Sequence, residues 1–202
     1  MKLYFQYCSY GFSNCYVLGT EETNEAIIID PGSMENVTME SIENNNFNLR
    51  AVLITHDHLS HVRGLRTLKR IYNAEVFAVN QSIMSHKSTM VKDGDILEIA
   101  GFTIEVISIP GHSSDSVVYR VNGMLFTGDV LTAGLVGSTA SAYGAATQMN
   151  KLRSRLLSLP GDYLVFPGHG PPSTLEAERR FNMDIFNFDQ NRSKRPSFRV
   201  DI

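Results

Sequence analysis

Short apolar and alternating runs recur along the chain, separated by Gly, Pro and Asn. They predict strands at 2–7, 13–19, 25–30, 50–55, 74–79, 95–99, 102–109, 116–121, 124–127 and 163–166. Between them, apolar positions at helical spacing predict helices at 34–45, 63–72, 145–158 and 174–188. In the third of these, Met149, Leu152, Leu156 and Leu157 share a face while Lys151, Arg153 and Arg155 take the other, so the stripe is core. Val121-Asn122-Gly123 turns one strand into the next as a hairpin, and Asp93-Gly94-Asp95 makes another turn. No solenoid repeat, low-complexity stretch or linker composition breaks the pattern. The chain reads as one α/β domain over residues 1–202.

At 43% hydrophobic and 19% charged residues, the composition is that of a globular domain with a substantial core. A net charge of −3 offers no field for a polyanion, which argues against nucleic acid. The one basic cluster, Arg192, Lys194, Arg195 and Arg199, reads as a solvated tail. Neither a signal-peptide pattern nor a bilayer-length apolar segment is visible, and Cys8 and Cys15 do not make a disulfide framework. The expectation is a cytoplasmic protein with reduced thiols and no membrane partner.

The apolar runs carry chemistry where they end. Ala51–Ile54 leads into Thr55-His56-Asp57-His58-Leu59-Ser60-His61, Val106–Ile109 into Pro110-Gly111-His112, and Tyr163–Phe166 into Pro167-Gly168-His169. Met124-Leu125-Phe126 leads into Thr127-Gly128-Asp129. Strand ends bring distant positions to one sheet edge, and imidazole with carboxylate suits zinc, iron or manganese. In an extended segment His56 and His58 point the same way and grip one ion with His112, while His61, past a turn, addresses a second with His169. Asp129 has two oxygens and can bridge both. His86, in a polar segment, reads as structural. Residues 133–144, rich in small side chains, form a loop after Asp129 that would overhang the ions as a substrate wall. Tyr143, its one aromatic, is either a substrate contact or a loop anchor.

This ordered set, with Ser13-Asn14-Cys15-Tyr16, Ile29-Asp30-Pro31-Gly32 and Pro167-Gly168-His169-Gly170, resembles the metallo-β-lactamase superfamily near its small glyoxalase II-like hydrolases. The resemblance implies a four-layer αββα sandwich with one or two metal ions, zinc first, with iron or manganese as alternatives. It puts the ligand roles on His56, His58, His61, His112, Asp129 and His169, and gives Asp30 the task of orienting the histidine loop. The chain departs from the family at Ser60, which stands where the signature has an aspartate ligand of the second ion. That site is expected to bind loosely, giving one tight ion or an uneven pair. Asp129, Ser60 and Asp57 are the candidate catalytic positions, although an extended segment turns Asp57 away from His56 and His58. A second departure is Gly137-Ser138-Thr139-Ala140, where relatives carry an arginine and an aspartate that pin the loop or touch substrate.

The resemblance implies hydrolysis of a thioester or ester of a small molecule by metal-bound hydroxide, with hydroxyacylglutathione hydrolase as the nearest named activity. That enzyme carries a helical extension with glutathione contacts beyond the last helix predicted here, which points to a different or smaller thiol carrier. Two alternatives stand beside it. One is an iron enzyme similar to persulfide dioxygenases, using His56, His112 and Asp129. The other is a metal-binding module that has lost catalysis through Ser60, against which the retention of every histidine argues. A β-lactamase or nuclease fits less well, since a basic face is absent from the sequence.

Overall fold

The structure is a computed structural model that describes residues 1–193. The basic cluster expected as a tail falls outside the described side chains. Strands β1 (Lys2–Tyr7), β2 (Asn14–Thr20), β3 (Glu25–Ile29), β4 (Asn48–Leu53) and β5 (Glu75–Ala78) lie side by side in that order. The first three are antiparallel, and from β3 onward the strands are parallel. A small ribbon of β6 (Ser82–Ile83) and β7 (His86–Lys87) precedes β8 (Thr89–Met90), which completes this first sheet beside β5. His86 sits in that ribbon, opposite Ile83.

The second sheet is built from β9 (Ile96–Ile99), β10 (Phe102–Ser108), β11 (Val117–Val121) and β12 (Met124–Gly128), a run of hairpins. Asn122 turns the last of them with a left-handed φ of 53°. After a ribbon of β13 (Leu131–Thr132) and β14 (Leu135–Val136), the chain returns as β15 (Leu164–Pro167), parallel to β12, and β16 (Ser173–Thr174).

Alternation along the strands creates the layers. Tyr16, Leu18, Ile27, Ile29 and Leu53 of the first sheet face Ile104, Val106, Tyr119, Phe126 and Phe166 of the second in one buried core. The neighbouring positions Val17, Ile28 and Val52 turn outward onto helices α1 (Asn36–Glu43), α2 (Leu59–Val62) and α3 (Leu65–Ile71), meeting Ile42, Val62, Leu65 and Leu68. On the far side Ile107, Val118, Leu125 and Val165 meet Met149, Leu152, Leu156 and Leu175. These last belong to α4 (Ala142–Lys151), the π-helical turns Leu152–Leu157 and α5 (Leu175–Phe181), which α6 (Met183–Ser193) follows. The result is the expected αββα sandwich, each buried aliphatic side chain contributing roughly 1.5–3 kcal/mol. Among the described residues no helix is long and apolar enough to cross a membrane.

The helical boundaries differ from expectation for local reasons. The helix expected at 63–72 starts at Leu59 and has two segments. The one expected at 174–188 breaks at Asn182, whose Oδ1 accepts the amides of Asp184 and Ile185 and starts α6 afresh. Ser141 Oγ accepts the Gly144 amide and caps α4, so the helix begins at Ala142 rather than 145. The loop expected over 133–144 is therefore part ribbon and part helix. Tyr143 lies in the first turn of α4 with 83% of its surface exposed, which excludes the anchoring role.

Candidate metal centre

The loops after β4, β10, β12 and β15 open at one edge of the sandwich, and they bring the predicted residues together. His56 and His58 follow β4, His61 sits in α2, His112 follows β10, Asp129 follows β12 and His169 follows β15. The Asp129 carboxylate is the hub. Its Oδ2 lies 3.8 Å from His56 Nε2, 3.5 Å from His112 Nε2 and 3.6 Å from His169 Nε2, while Oδ1 lies 3.4 Å from His61 Nε2. His58 Nδ1 lies 3.0 Å from the Nε2 atoms of both His56 and His112.

Hydrogen bonds on the outer side of the rings decide what faces inward. His112 Nδ1 lies 2.8 Å from the Ser138 carbonyl, and His169 Nδ1 lies 3.0 Å from the Phe12 carbonyl. A carbonyl only accepts, so both Nδ1 atoms carry hydrogen and both Nε2 atoms carry lone pairs. The Thr55 hydroxyl donates to Asp30 Oδ2 at 2.5 Å, leaving its oxygen to accept from His56 Nδ1 at 3.1 Å. His56 Nε2 is thus also a bare lone pair. A hydrogen on His58 Nδ1 could serve at most one of its two neighbours, so three ring nitrogens at this spacing are donors facing a cation. Three close groups of possible ligands result: two share Asp129, namely His56, His58, His112 and Asp129, and beside them His61, Asp129 and His169, while the third joins Asp30 to His56 and His61 with Asp30 on the Nδ1 side of His61. His61 Nε2 and Asp129 Oδ1 are buried with no hydrogen-bond partner, a cost that a divalent ion between them removes.

Asp30 does the work expected of it. Held at φ 49°, it accepts the Thr55 amide on Oδ1 at 2.8 Å and His61 Nδ1 on Oδ2 at 3.1 Å, so one buried carboxylate fixes both ends of the histidine loop. Two glycines make room for the ligands. A side chain at Gly128 (φ 50°) would lie 2.4 Å from Thr55 Oγ1, and one at Gly168 would lie 2.4 Å from Asp129 Oδ1. The β1–β2 hairpin closes the edge: the Ser13 hydroxyl donates to the Ser60 carbonyl at 2.6 Å, and the Asn14 amide group donates to the carbonyls of Pro167 and Gly170.

Burial, reinforced by the charge of His61, pushes the His56 ring down to about 3 and keeps it neutral. Burial and His112 lower His58 as well. His61 goes the other way: burial opposes its charge, but the Asp129 carboxylate 3.4 Å from its Nε2 and the Asp30 carboxylate on its Nδ1 raise it to about 10. The Asp129 carboxyl is raised by burial yet falls well below the usual range because His61, the nearest ring at 3.4 Å, surrounds it together with His169 and His56. A proton on His61 and a metal ion are alternative occupants of one negative pocket.

Not every predicted position joins the centre. Asp57 stands outside all three groups; its amide donates to Asp115, and burial together with that neighbouring carboxylate raises its own carboxyl. Ser60 packs under Gly11, where an added methyl group would come within 2.6 Å of Ser60 Cβ. The sequence reasoning missed what holds the 133–138 segment. The buried Glu178 accepts the Gly134 amide, the Ser173 hydroxyl and the Asn182 side chain, and Asp184 accepts the Val136 amide. Gln148 donates to the carbonyls of Val130 and Gly137. These bonds place the Ser138 carbonyl that fixes His112. Glu178→Ala is expected to destabilise the protein by about 2 kcal/mol in urea denaturation, because buried donors lose their partner.

Fold and centre together define an αββα sandwich with a histidine and carboxylate cluster suited to divalent metal at its sheet edge. The chain belongs to the metallo-beta-lactamase superfamily, whose family model matches residues 9–169. It is 33% identical over 157 residues to the hydroxyacylglutathione hydrolase of Chromohalobacter salexigens, covering 76% of this chain but only 60% of that enzyme. It is 30% identical over 193 residues to the hydroxyacylglutathione hydrolase GloC of Haemophilus influenzae, covering 84% of this chain and 91% of the relative. Among solved structures, ETHE1 from Myxococcus xanthus superposes with a TM-score of 0.82 at 26% identity, covering 98% of this chain and 93% of that one.

Proposed function

We propose that this protein is a metal-dependent hydrolase of small-molecule thioesters or esters, acting in the cytoplasm in the manner of its hydroxyacylglutathione hydrolase relatives. The observation that carries the proposal is the convergence of five imidazoles on Asp129, with the outer nitrogens of four of them held by Thr55, Asp30, Ser138 and Phe12. Zinc is the ion this donor set suits first, with iron and manganese next. Such an ion supplies a Lewis acid for the substrate carbonyl and brings the acidity of a coordinated water toward neutral pH.

The protein's own groups complete the arrangement. His56 and His61, almost fully buried, form the floor, while His169, with 34% of its side chain exposed, marks the opening through which substrate arrives. Asp129 belongs to two of the ligand groups, its Oδ2 facing His56, His112 and His169 and its Oδ1 facing His61, and so ties them together. A thiolate leaves readily because its conjugate acid has a pKa of about 8.5, so a thioester places little demand on a protein acid. Chelator-treated protein is expected to lose thiol release from an acylglutathione thioester, and added zinc to restore it. Absence of both thiol release from every thioester tried and acid release from every ester tried, with fully metallated protein, would defeat the proposal.

The iron alternative draws on one specific feature, the approach of Asp129 Oδ2 to both His56 Nε2 and His112 Nε2. Oxygen uptake with an organic persulfide by iron-loaded protein, without thioester hydrolysis by the zinc form, would select it.

A further inference from the structure

A cleft of about 380 Å³, lined by none of the metal-centre ligands, opens between the segment after β3 and the helices α2 and α3. Ser33, Met34, Leu59, Arg63, Arg66 and Met84 line it. Its size lies within the usual range for small-molecule sites, and Leu59 directly follows the ligand-group residue His58. Arg63 stands one helical turn beyond Leu59, about 6 Å along the axis.

The two guanidiniums are the informative feature. Arg50, Arg120, Arg155, Arg179 and Arg180 each meet a carboxylate, whereas among the described residues Arg63, Arg66 and Arg70 meet none, and of these three Arg63 and Arg66 line the cleft. Glu35, just beyond Ser33 and Met34, is engaged by Ser9 and Ser33 instead. Arg63 is nevertheless held in place, with its guanidinium 4.1 Å from the centre of the Tyr10 ring on the β1–β2 hairpin. Two uncompensated cations in a chain of net charge −3, one of them held by an aromatic ring and both flanked by Leu59 and two methionines, form a polar anchor with apolar walls.

We propose that this cleft binds the anionic portion of the substrate, a carboxylate or phosphate carried on an apolar stem whose reacting end lies at the metal centre. The proposal rests on the hydrolase assignment for the identity of the reacting end, but binding in the cleft can be measured without turnover. The shared chemistry is an anion on a thiol carrier. A peptide carrier would bring carboxylates and a nucleotide-type carrier phosphates.

Calorimetric titration of the metal-loaded protein with three thiol-free probes separates these cases: S-methylglutathione, S-methyl-coenzyme A and the neutral N-acetyl-S-methylcysteamine. At least one anionic probe is expected to bind about tenfold or more tightly than the neutral one, with an affinity that falls as salt rises. Arg63→Ala and Arg66→Ala are each expected to weaken that probe about tenfold, and Arg63→Lys to fall between wild type and Arg63→Ala because the charge is kept but the guanidinium fork over Tyr10 is lost. Preference for the glutathione probe assigns a carboxylate carrier, and preference for the coenzyme A probe a phosphate carrier. Equal binding of all three probes, or anionic binding indifferent to salt and to both substitutions, overturns the proposal. The salt series uses the unaltered protein, so it decides even where a variant folds poorly. Arginine-dependent binding without thioester hydrolysis would uphold the cleft while removing the hydrolase assignment, and hydrolysis without it would do the reverse.

Discussion

Asp129→Ala is expected to strip the protein of bound metal and lower kcat/KM for a thioester by about a thousandfold, equivalent to about 4 kcal/mol. Asp129 is the one group common to both ligand sets, and its oxygens approach four imidazoles within 3.4–3.8 Å. Without it, five imidazoles would share a cation with no counter-charge, and His61 would keep one carboxylate partner instead of two. The metal-free variant is also expected to melt below metal-free wild type, because the substitution takes away one of the two carboxylates that hold the buried His61 as a cation. Elemental analysis, thiol-release kinetics and thermal melting of the same preparation measure all three outcomes. Unchanged metal content with less than a tenfold fall in kcat/KM would show that Asp129 is not the hub.

Much of this arrangement is legible in the sequence because it is locally encoded. Ile27 to Ile29 and Val117 to Val121 show their strand character in composition alone, and every longer strand appears within about two residues of its expected place. The two-residue strands are too short for any period, so β6 to β8, β13, β14 and β16 left no trace. The break at Asn182 depends on Glu178, which packs against Gly134, 44 residues away in the chain, and no local window contains that information. The ligands themselves were visible as histidines at strand ends. What fixes two of them was not, because the carbonyls of Phe12 and Ser138 are backbone atoms whose role does not depend on the residue that carries them. Asp30 was legible only through the family resemblance, and the Thr55 hydroxyl that holds His56 carried no signal of its own.

Ser60→Asp is expected to convert an uneven metal centre into an evenly occupied pair. The His56, His58, His112 and Asp129 group supplies four donors, enough for a tetrahedral ion. The His61, Asp129 and His169 group supplies three, one of them on the exposed His169, with a neutral hydroxyl at position 60. Removing even an outer hydrogen-bonding partner of a ligand costs about 10- to 100-fold in metal affinity, so a new carboxylate ligand should tighten the second ion by about a hundredfold or more. The backbone at this position is clamped, with the Ser13 hydroxyl on the Ser60 carbonyl and Gly11 packed on Cβ, so the substitution changes the ligand without moving the helix that carries His61. Chelator-competition titrations with zinc should resolve one tight and one weak ion in the unaltered protein, and two tight ions in the variant. If the second dissociation constant does not move, position 60 has no access to the second ion, and the looseness of that site has to be sought in the exposure of His169 instead.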